Sequence, residues 1–315
     1  MDMSEQRKRK RKKRWGLRIF LGLLAVLVLT VGSYVYSVYR NLSKTTDTIY
    51  TPVETQAVRE AGVDLTQQTP ISILLMGIDN GAEGRTEAGR SDSMIVVTIN
   101  PKTQTTAMVS IPRDTFSEIV GNDTYDKINH AYWFGGAEMA INTVQKLLGI
   151  PIDYYASINM EGLKQMVDAV GGITVNSPLA FTSRGYTFVE GSNQMNGEAA
   201  LAFSRMREED PTQDTGRQDR QRLVIEAIIH NLIQTDMLLS YQDILHSLSA
   251  NVETSLQMSD YLALQQNGYV SAVSNIKQDH LGGVGGLRNE IYYSFVDGAE
   301  LNRVQEVLKT ELELP

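Results

Sequence analysis

The sequence of 315 residues contains no cysteine, which excludes disulfide bonds, thiol catalysis and cysteine-ligated zinc or iron–sulfur sites. A folded domain must therefore be held together by its core, and 42% hydrophobic residues suffice for a sizeable one. Only four histidines occur, and the patterns H-E-x-x-H, G-x-S-x-G and G-x-x-x-x-G-K are missing. A Ser/His/Asp enzyme consequently has little support.

Positive charge is scarce outside the N-terminus. Residues 1–18 hold nine lysines or arginines and two acidic residues, which gives a net charge of +7. The rest of the chain holds 20 basic and 35 acidic residues, which gives a net charge of −15. Because binding to nucleic acid depends on clustered Lys and Arg, we expect no nucleic-acid partner for this acidic part.

An uncharged run of 21 residues, Ile19 to Tyr39, follows the basic tail. At about 1.5 Å per residue, such a helix spans a hydrocarbon core of roughly 30 Å. Basic residues before the run predict that the tail stays in the cytoplasm. A cleaved signal peptide is the alternative, although this run is longer than usual and shows no clear A-x-A site. We predict a cytoplasmic tail (1–18), a transmembrane helix (19–39), an extracellular stalk (40–69) and an extracellular catalytic domain (70–315).

Strand-type and helix-type patterns alternate after residue 70. Runs rich in β-branched residues predict strands, and apolar residues at helical spacing predict helices. The predicted strands are 71–78, 93–100, 105–111, 153–158, 173–176 and 290–296. The predicted helices are 131–149, 160–172, 196–207, 217–234, 237–249, 258–268 and 297–312. This alternation predicts an α/β fold, an α-β-α sandwich with a central mixed sheet.

Two aspartates mark the junction of the first two predicted strands. Asp79 follows the first strand directly, and Asp92 immediately precedes the second. If these strands are antiparallel neighbours, both carboxylates lie at one edge of the sheet. Two hard oxygen donors suit Mg²⁺ (or Mn²⁺), since Mg²⁺ keeps several waters and also takes phosphate oxygens. The alternative is that each aspartate only caps a turn.

Arginines form a second set of candidates. Guanidinium groups match phosphate oxygens in a bidentate manner, and helix N-termini attract anions as well. These positions flank strand ends or fall within residues 203–222, and they are Arg90, Arg113, Arg205, Arg207, Arg217, Arg220 and Arg222. We therefore expect an anion site.

The alternative interpretation is a solvated helix face that pairs with nearby carboxylates. It explains Arg222 well and Arg220 in part, but it explains Arg90 and Arg113 poorly, because they lie far away in the sequence. His130 and Asn129 are more ambiguous: either could line a pocket, and Asn129 serves equally well as a helix cap.

Several stretches, taken in order, resemble the LytR-CpsA-Psr family of bacterial cell-envelope proteins. They cover about residues 71 to 235, and several motifs in the right order are more specific than any one alone. These stretches read "LLMGIDN", "GRSDSMIVVTINPKTQTTAMVSIPRDT", "DKINHAYWFGG", "VDAVGGITV", "NGEAALAFSRMR" and "GRQDRQR".

The resemblance implies a phosphotransferase that moves an anionic glycopolymer, of teichoic acid or capsular type, from a polyprenyl-pyrophosphate lipid to a peptidoglycan hydroxyl. Polyprenyl phosphate is then released, and the polyprenyl tail is expected in an apolar pocket. The family's metal ligands correspond to Asp79 and Asp92. Its pyrophosphate-binding residues correspond to Arg90, Arg113, Arg205, Arg207, Arg217 and Gln221, with Arg220 as a weaker match.

In the mechanism that this implies, Arg113, Asp92 and Arg217 are the catalytic residues, and Asp92 or Asp114 is the candidate base. The expected partners are the lipid-linked polymer, peptidoglycan and membrane lipid. Two alternatives remain at this point. One is a hydrolase of lipid pyrophosphates, in which water is the acceptor, and the other is a non-catalytic, membrane-bound regulator of the envelope or of transcription.

Overall fold

The computed structural model describes residues 40, 48–56, 58–59, 62–80, 89–234 and 250–315. The predicted tail (1–18), transmembrane helix (19–39) and helix 237–249 lie outside these residues. Within the described ranges, no helix combines the length and the apolar character needed to cross a membrane.

A six-stranded sheet forms the centre of the domain. Its order is β11-β6-β1-β2-β3-β12, with β6 parallel to β1, β12 parallel to β3, and the other neighbours antiparallel. The predicted mixed sheet is thereby confirmed. Its strands are β1 (Ile71–Ile78), β2 (Ser91–Asn100), β3 (Thr105–Ile111), β6 (Tyr154–Asn159), β11 (Val252–Thr254) and β12 (Ile276–His280).

Helices cover both faces of the sheet, because alternate residues of its strands are apolar on either side. Leu74 and Met76 of β1 pack into one core cluster, whereas Ile71 and Leu75 pack into the cluster on the opposite face. The helices are α1 (His130–Leu148), α2 (Met160–Ala169), α3 (Gly197–Arg205), α4 (Asp214–Gln234), α5 (Met258–Gln266), α6 (Tyr269–Ala272) and α7 (Gly298–Glu311). Helices α1 and α7 lie on the first face, and α4, α5 and α6 contribute to the second.

A third core cluster joins α2, α3, α4 and the strand that begins at Ile173.

Four two-stranded antiparallel sheets lie outside the central sheet, and the sequence patterns did not predict most of their strands. The strands of the four pairs are β4 (Phe116–Ile119) with β5 (Thr124–Lys127), β7 (Ile173–Ser177) with β10 (Gly191–Met195), β8 (Phe181–Ser183) with β9 (Tyr186–Phe188), and β13 (Val284–Arg288) with β14 (Ile291–Phe295).

Part of the segment predicted as a stalk contacts the domain. Tyr155 donates a hydrogen bond to the carbonyl of Thr51 at 2.8 Å. Arg59 pairs with Asp153 at 2.9 Å, and the side chain of Ile49 is buried. Described parts of 48–59 therefore pack against the domain around β6.

Candidate functional site

The antiparallel pairing of β1 and β2 places the two candidate aspartates at one edge of the sheet. Gly77 pairs with Ser93 and Ile78 pairs with Ser91, so Asp92 is the extra residue at a shift in the register, next to the end of β1 where Asp79 follows. The backbone N–H of Arg90 donates to Asp79 Oδ1 at 2.8 Å, and Asp79 N–H donates to the Arg90 carbonyl at 3.1 Å. Their location at one edge of the sheet confirms the prediction from the sequence, and both carboxylates line the same cavity.

Asp92 is held by two side chains that arrive from different elements. Arg113, two residues beyond β3, donates from Nη1 to Asp92 Oδ2 at 2.8 Å. Asn129 donates from Nδ2 to Asp92 Oδ1 at 3.1 Å. Burial works to lower the pKa of Arg113, but the carboxylates of Asp92 and Asp114 outweigh it and raise the pKa. Arg113 is thus a permanent cation fixed beside Asp92.

Two helix ends supply further guanidinium groups to the cavity. Arg205 lies in the last turn of α3 and contacts the sulfur of Met160, and Arg217 lies in the first turns of α4. Arg217 pairs with Asp214 at 2.7 Å, and only 12% of its side chain is exposed. Burial lowers the pKa of Arg217, and the nearby positive charge of Arg113 adds to this effect against the opposing Asp214.

Two of these guanidinium groups keep unused donors. The buried Nε atoms of Arg113 and Arg217 have no hydrogen-bond partner among the described residues. An unpaired buried donor costs free energy, which an anionic oxygen at hydrogen-bond distance would recover. Both residues line the cavity that Asp79 and Asp92 line, so the site is suited to an anion with several oxygens.

Beyond this charged end the cavity is apolar. Its volume is about 430 Å³, and it extends between one face of the sheet and helices α2, α3 and α4. Gln221 lines it one helical turn beyond Arg217, on the same stripe of α4. The apolar side chains along its wall include Leu75, Ala156, Ile158, Leu163, Met166, Leu201, Val224, Ile225, Ile228, Ile229 and Val252.

Three other predicted arginines lie outside the cavity lining. Arg90 and Arg207 are exposed, although the charge of Arg207 is close enough to lower the pKa of Arg217. Arg220 is fully buried and pairs with Asp210 and with the carbonyl of Met206. The assignment of Arg220 to the pyrophosphate site is therefore corrected: its guanidinium is consumed by a structural ion pair.

Arg222 also differs from the sequence interpretation of a solvated side chain. It is buried, with only 5% of its side chain exposed, and donates to Ser110 Oγ at 2.6 Å. It also contacts Asp219. Arg222 therefore links α4 to β3. The packing of α4 on the sheet decides which of its faces is buried, and the spacing of charges in the sequence does not show this.

The donor set at the sheet edge fits Mg²⁺ or Mn²⁺. Asp79 and Asp92 offer carboxylate oxygens, and Mg²⁺ is commonly held by one or two carboxylates together with substrate phosphates and waters. No cluster of three acidic or histidine residues suited to a metal occurs within the ranges that the structure describes.

Two side chains at the site had been left open or overlooked. Asn129 lies at the N-cap position of α1, but its side chain makes no cap hydrogen bond and binds Asp92 instead. Asp214 is one of the nearby carboxylates of the solvated-face interpretation, but it pairs with the mostly buried Arg217 and orients it. The i,i+3 spacing of Asp214 and Arg217 was the available signal.

The comparisons with known proteins agree on one family. The model of the LytR_cpsA_psr family matches residues 33–310. A protein named polyisoprenyl-teichoic acid–peptidoglycan teichoic acid transferase TagU, from Enterococcus faecalis, is 45% identical over 294 residues, which cover 93% of this chain and 96% of that protein.

Solved structures give the same result. The crystal structure of B. subtilis TagU has a TM-score of 0.64 and 42% identity, covering 78% of this chain and 98% of that one. A structure of TagT bound to LIIa-WTA has a TM-score of 0.70 and 27% identity, covering 83% and 97%. The chain belongs to the LytR-CpsA-Psr family.

Proposed function

We propose that this chain transfers a teichoic acid from a polyprenyl-pyrophosphate lipid to a hydroxyl group of peptidoglycan. One observation carries the proposal: the guanidinium groups of Arg113, Arg205 and Arg217 share a cavity with an extended apolar wall. A lipid pyrophosphate has the same two parts, an anionic head and an apolar tail. The relatives named above are teichoic acid transferases, which favours teichoic acid over a capsular polymer.

The residues divide the work of binding. Arg113, Arg205 and Arg217 hold the pyrophosphate oxygens, with Gln221 beside them on α4. Arg207 and Arg90, which are exposed, add positive charge at the rim. The polyprenyl chain lies along the apolar wall, where burial of its surface contributes roughly 25 cal/mol per Å².

The transfer breaks one bond to phosphorus and forms another. The acceptor oxygen attacks the phosphorus next to the sugar, and the bond between this phosphorus and the bridging oxygen breaks. Polyprenyl phosphate leaves with the bridging oxygen and the electron pair. Arginines placed at this point stabilise the charge that develops on both phosphoryl groups, which is the main contribution that a protein makes to such transfers.

The proton of the acceptor hydroxyl requires a base. Of the two candidates from the sequence, Asp92 lines the cavity, and a third of its side chain is exposed. Asp114 instead pairs with Lys127 at 2.7 Å. These contacts favour Asp92, whose carboxylate is kept in position by Arg113 and Asn129.

A divalent cation, Mg²⁺ or Mn²⁺, is part of the proposal. Asp79 and Asp92 would hold it, and when bound it would neutralise charge on the phosphate oxygens. Arg205 and Arg217 would still be needed to hold the phosphate oxygens, because Asp92 already balances the charge of Arg113.

We also propose that the domain acts outside the cell, held by a single membrane anchor in residues 19–39. The sequence supports this placement through the basic tail and the uncharged run. Reporters fused after residue 45 test this placement. A reporter that is active only outside the cytoplasm should be active in the fusion, and a reporter that is active only in the cytoplasm should be inactive. The opposite result would return the regulator to consideration.

Hydrolysis is the second candidate, because water could attack the same phosphorus. The test supplies lipid-linked polymer with and without peptidoglycan. We expect polymer covalently attached to peptidoglycan and one polyprenyl phosphate released per attachment. Free polymer phosphate as the product under both conditions would identify a hydrolase.

A further inference from the structure

The first turn of α1 presents two large aromatic side chains to solvent. Trp133 is 45% exposed and Phe134 is 39% exposed, with their ring centroids 5.0 Å apart. The His130 ring lies 6.3 Å from each. Most apolar side chains further along α1 are buried in the core, so this turn differs from the rest of its helix.

A backbone kink separates this aromatic turn (His130–Phe134) from the remainder of α1. Gly136 has φ of 63°, in the left-handed region that glycine adopts without strain. A Cβ atom at Gly135 would lie 2.8 Å from the side chain of Met139. The two glycines therefore allow the turn to depart from the helix axis and display its rings.

The aromatic turn borders the reacting edge. Asn129, immediately before it, donates to Asp92 Oδ1 at 3.1 Å, and its backbone N–H donates to the carbonyl of Arg113 at 3.3 Å. Helix α1 packs on the sheet face opposite to the apolar cavity. In an in-line displacement the acceptor approaches opposite to the leaving group. In the proposed binding mode the polyprenyl phosphate leaves on the cavity side, so we expect the acceptor to approach from the side on which α1 packs.

Polar groups surround the exposed rings. Asp126 accepts from His130 at 2.7 Å and from the hydroxyl of Tyr293 at 3.3 Å. An aromatic face attracts the weakly positive C–H face of a sugar ring, and neighbouring polar side chains bond its hydroxyls. Asp126 therefore places a carboxylate beside the ring of His130, which contacts both exposed rings.

We propose that the aromatic turn is the acceptor subsite, where Trp133 and Phe134 stack on sugar rings of the peptidoglycan glycan strand. His130 and Asp126 bond the hydroxyls of the same sugars, and Asn129 links the subsite to Asp92. This inference rests on the proposed function, and it adds the position and chemistry of the acceptor site.

The kinetic test compares Trp133→Ala with Tyr186→Ala. Tyr186 is also exposed, at 37%, but lies on β9 away from the catalytic edge. We expect Trp133→Ala to raise the KM for the acceptor roughly tenfold, with the KM for the lipid donor and slow donor hydrolysis unchanged. Trp133→Phe should restore most of the affinity, and Tyr186→Ala should behave like wild type. An unchanged acceptor KM in Trp133→Ala, while wild type transfers normally, would overturn the subsite.

A binding test separates this inference from the transfer reaction. The chain has two tryptophans, Trp15 and Trp133, so Trp15→Phe leaves Trp133 as the sole indole reporter. A soluble oligomer of alternating N-acetylglucosamine and N-acetylmuramic acid should then change the fluorescence of the full chain saturably, without any donor. If the glycan changes the fluorescence saturably but the wild-type chain shows no transfer activity, the result would support the acceptor subsite and contradict the proposed function. A response to lipid vesicles or to protein concentration but not to the glycan would overturn the subsite.

Discussion

Arg113 and Asp92 form an ion pair of 2.8 Å between the end of β3 and the start of β2. The two residues are 21 positions apart in sequence, and β2 and β3 are antiparallel neighbours. A quarter of the Arg113 side chain and a third of that of Asp92 are exposed, so the pair remains accessible to a substrate. Cation and carboxylate are therefore held together at the point where phosphorus would react.

Arg113→Ala should abolish transfer and leave the fold intact. Loss of one such charge-stabilising donor lowers kcat by about 10²–10³-fold. The measurement is transfer of lipid-linked polymer to peptidoglycan, with the thermal midpoint recorded in parallel. Arg303→Ala is the matched control, because Arg303 pairs with Asp279 and Glu300 away from the cavity. Normal turnover by Arg113→Ala would remove this residue from the site.

Arg220→Ala should act on stability rather than on substrate binding. Removal of Arg220 leaves the buried Asp210 carboxylate without a cation, with only the hydrogen bonds from Thr212, which costs about 3–5 kcal/mol of unfolding free energy. Chemical denaturation measures it. The exposed pair Lys102–Glu313 is the control, since Lys102→Ala should cost less than about 1 kcal/mol. If Arg220→Ala kept full stability but lost donor affinity, the corrected assignment would have to be reversed.

Asp79→Asn should weaken binding of a divalent cation. The substitution keeps the shape of the side chain and removes the negative charge that hard cations prefer. Mn²⁺ binding, followed by electron paramagnetic resonance in the presence of pyrophosphate, should require a higher Mn²⁺ concentration in the variant. Asp123→Asn, a change on the turn between β4 and β5, is the control. Equal Mn²⁺ affinity in the wild type and Asp79→Asn would argue against this ligand.

Ala156→Phe should narrow the apolar cavity. Ala156 pairs with Leu75 in the parallel β6–β1 ladder, and both line the cavity wall. A larger side chain there competes with the lipid for space, so the KM for a long-chain polyprenyl donor should rise. A donor with a short tail serves as the internal control, because its head group still reaches Arg113 and Arg217. An identical rise for both donors would indicate general damage.

The lowered pKa of Glu300 should make the free energy of unfolding depend on pH in the acid range. Hydrogen bonding from Arg303 lowers the pKa of Glu300 to about 2, and the backbone N–H of Gly282 adds to this. Because the pKa of Glu300 in the folded protein lies below the usual glutamate value of about 4.5, the stabilisation is present above that pH and is lost as pH falls toward 2. Unfolding free energies of Glu300→Gln and the wild type should differ clearly at pH 6 and converge near pH 2. A constant difference would refute the linkage.

The sequence predicted the centre of this fold better than its periphery. The apolar runs of β1, β2 and β3 need no tertiary information, and their order places Asp79 and Asp92 together. The strands of β8 and β9 have three residues each, too few for a periodic pattern, and their pairing depends on packing against α3.

Helix α4 shows which residues of the candidate site could be predicted from the sequence and which could not. Arg217, Gln221, Val224 and Ile228 recur at helical spacing and line the cavity, so this stripe was present in the sequence. The family resemblance grouped Arg220 with Arg217 at the pyrophosphate site, but the sequence did not show that Arg220 is buried away from the cavity. The position of Asp210, in the connection before α4, decided that, and only the tertiary structure shows it.

The Arg220–Asp210 pair also couples two residues of the candidate site to each other. Residues 206–213 connect α3 to α4, and Arg220 binds this connection through Asp210 and Met206. Arg205 and Arg217 flank the same connection. Loss of the pair should therefore displace both guanidinium groups together, although neither of them contacts Arg220 in the ion pair itself.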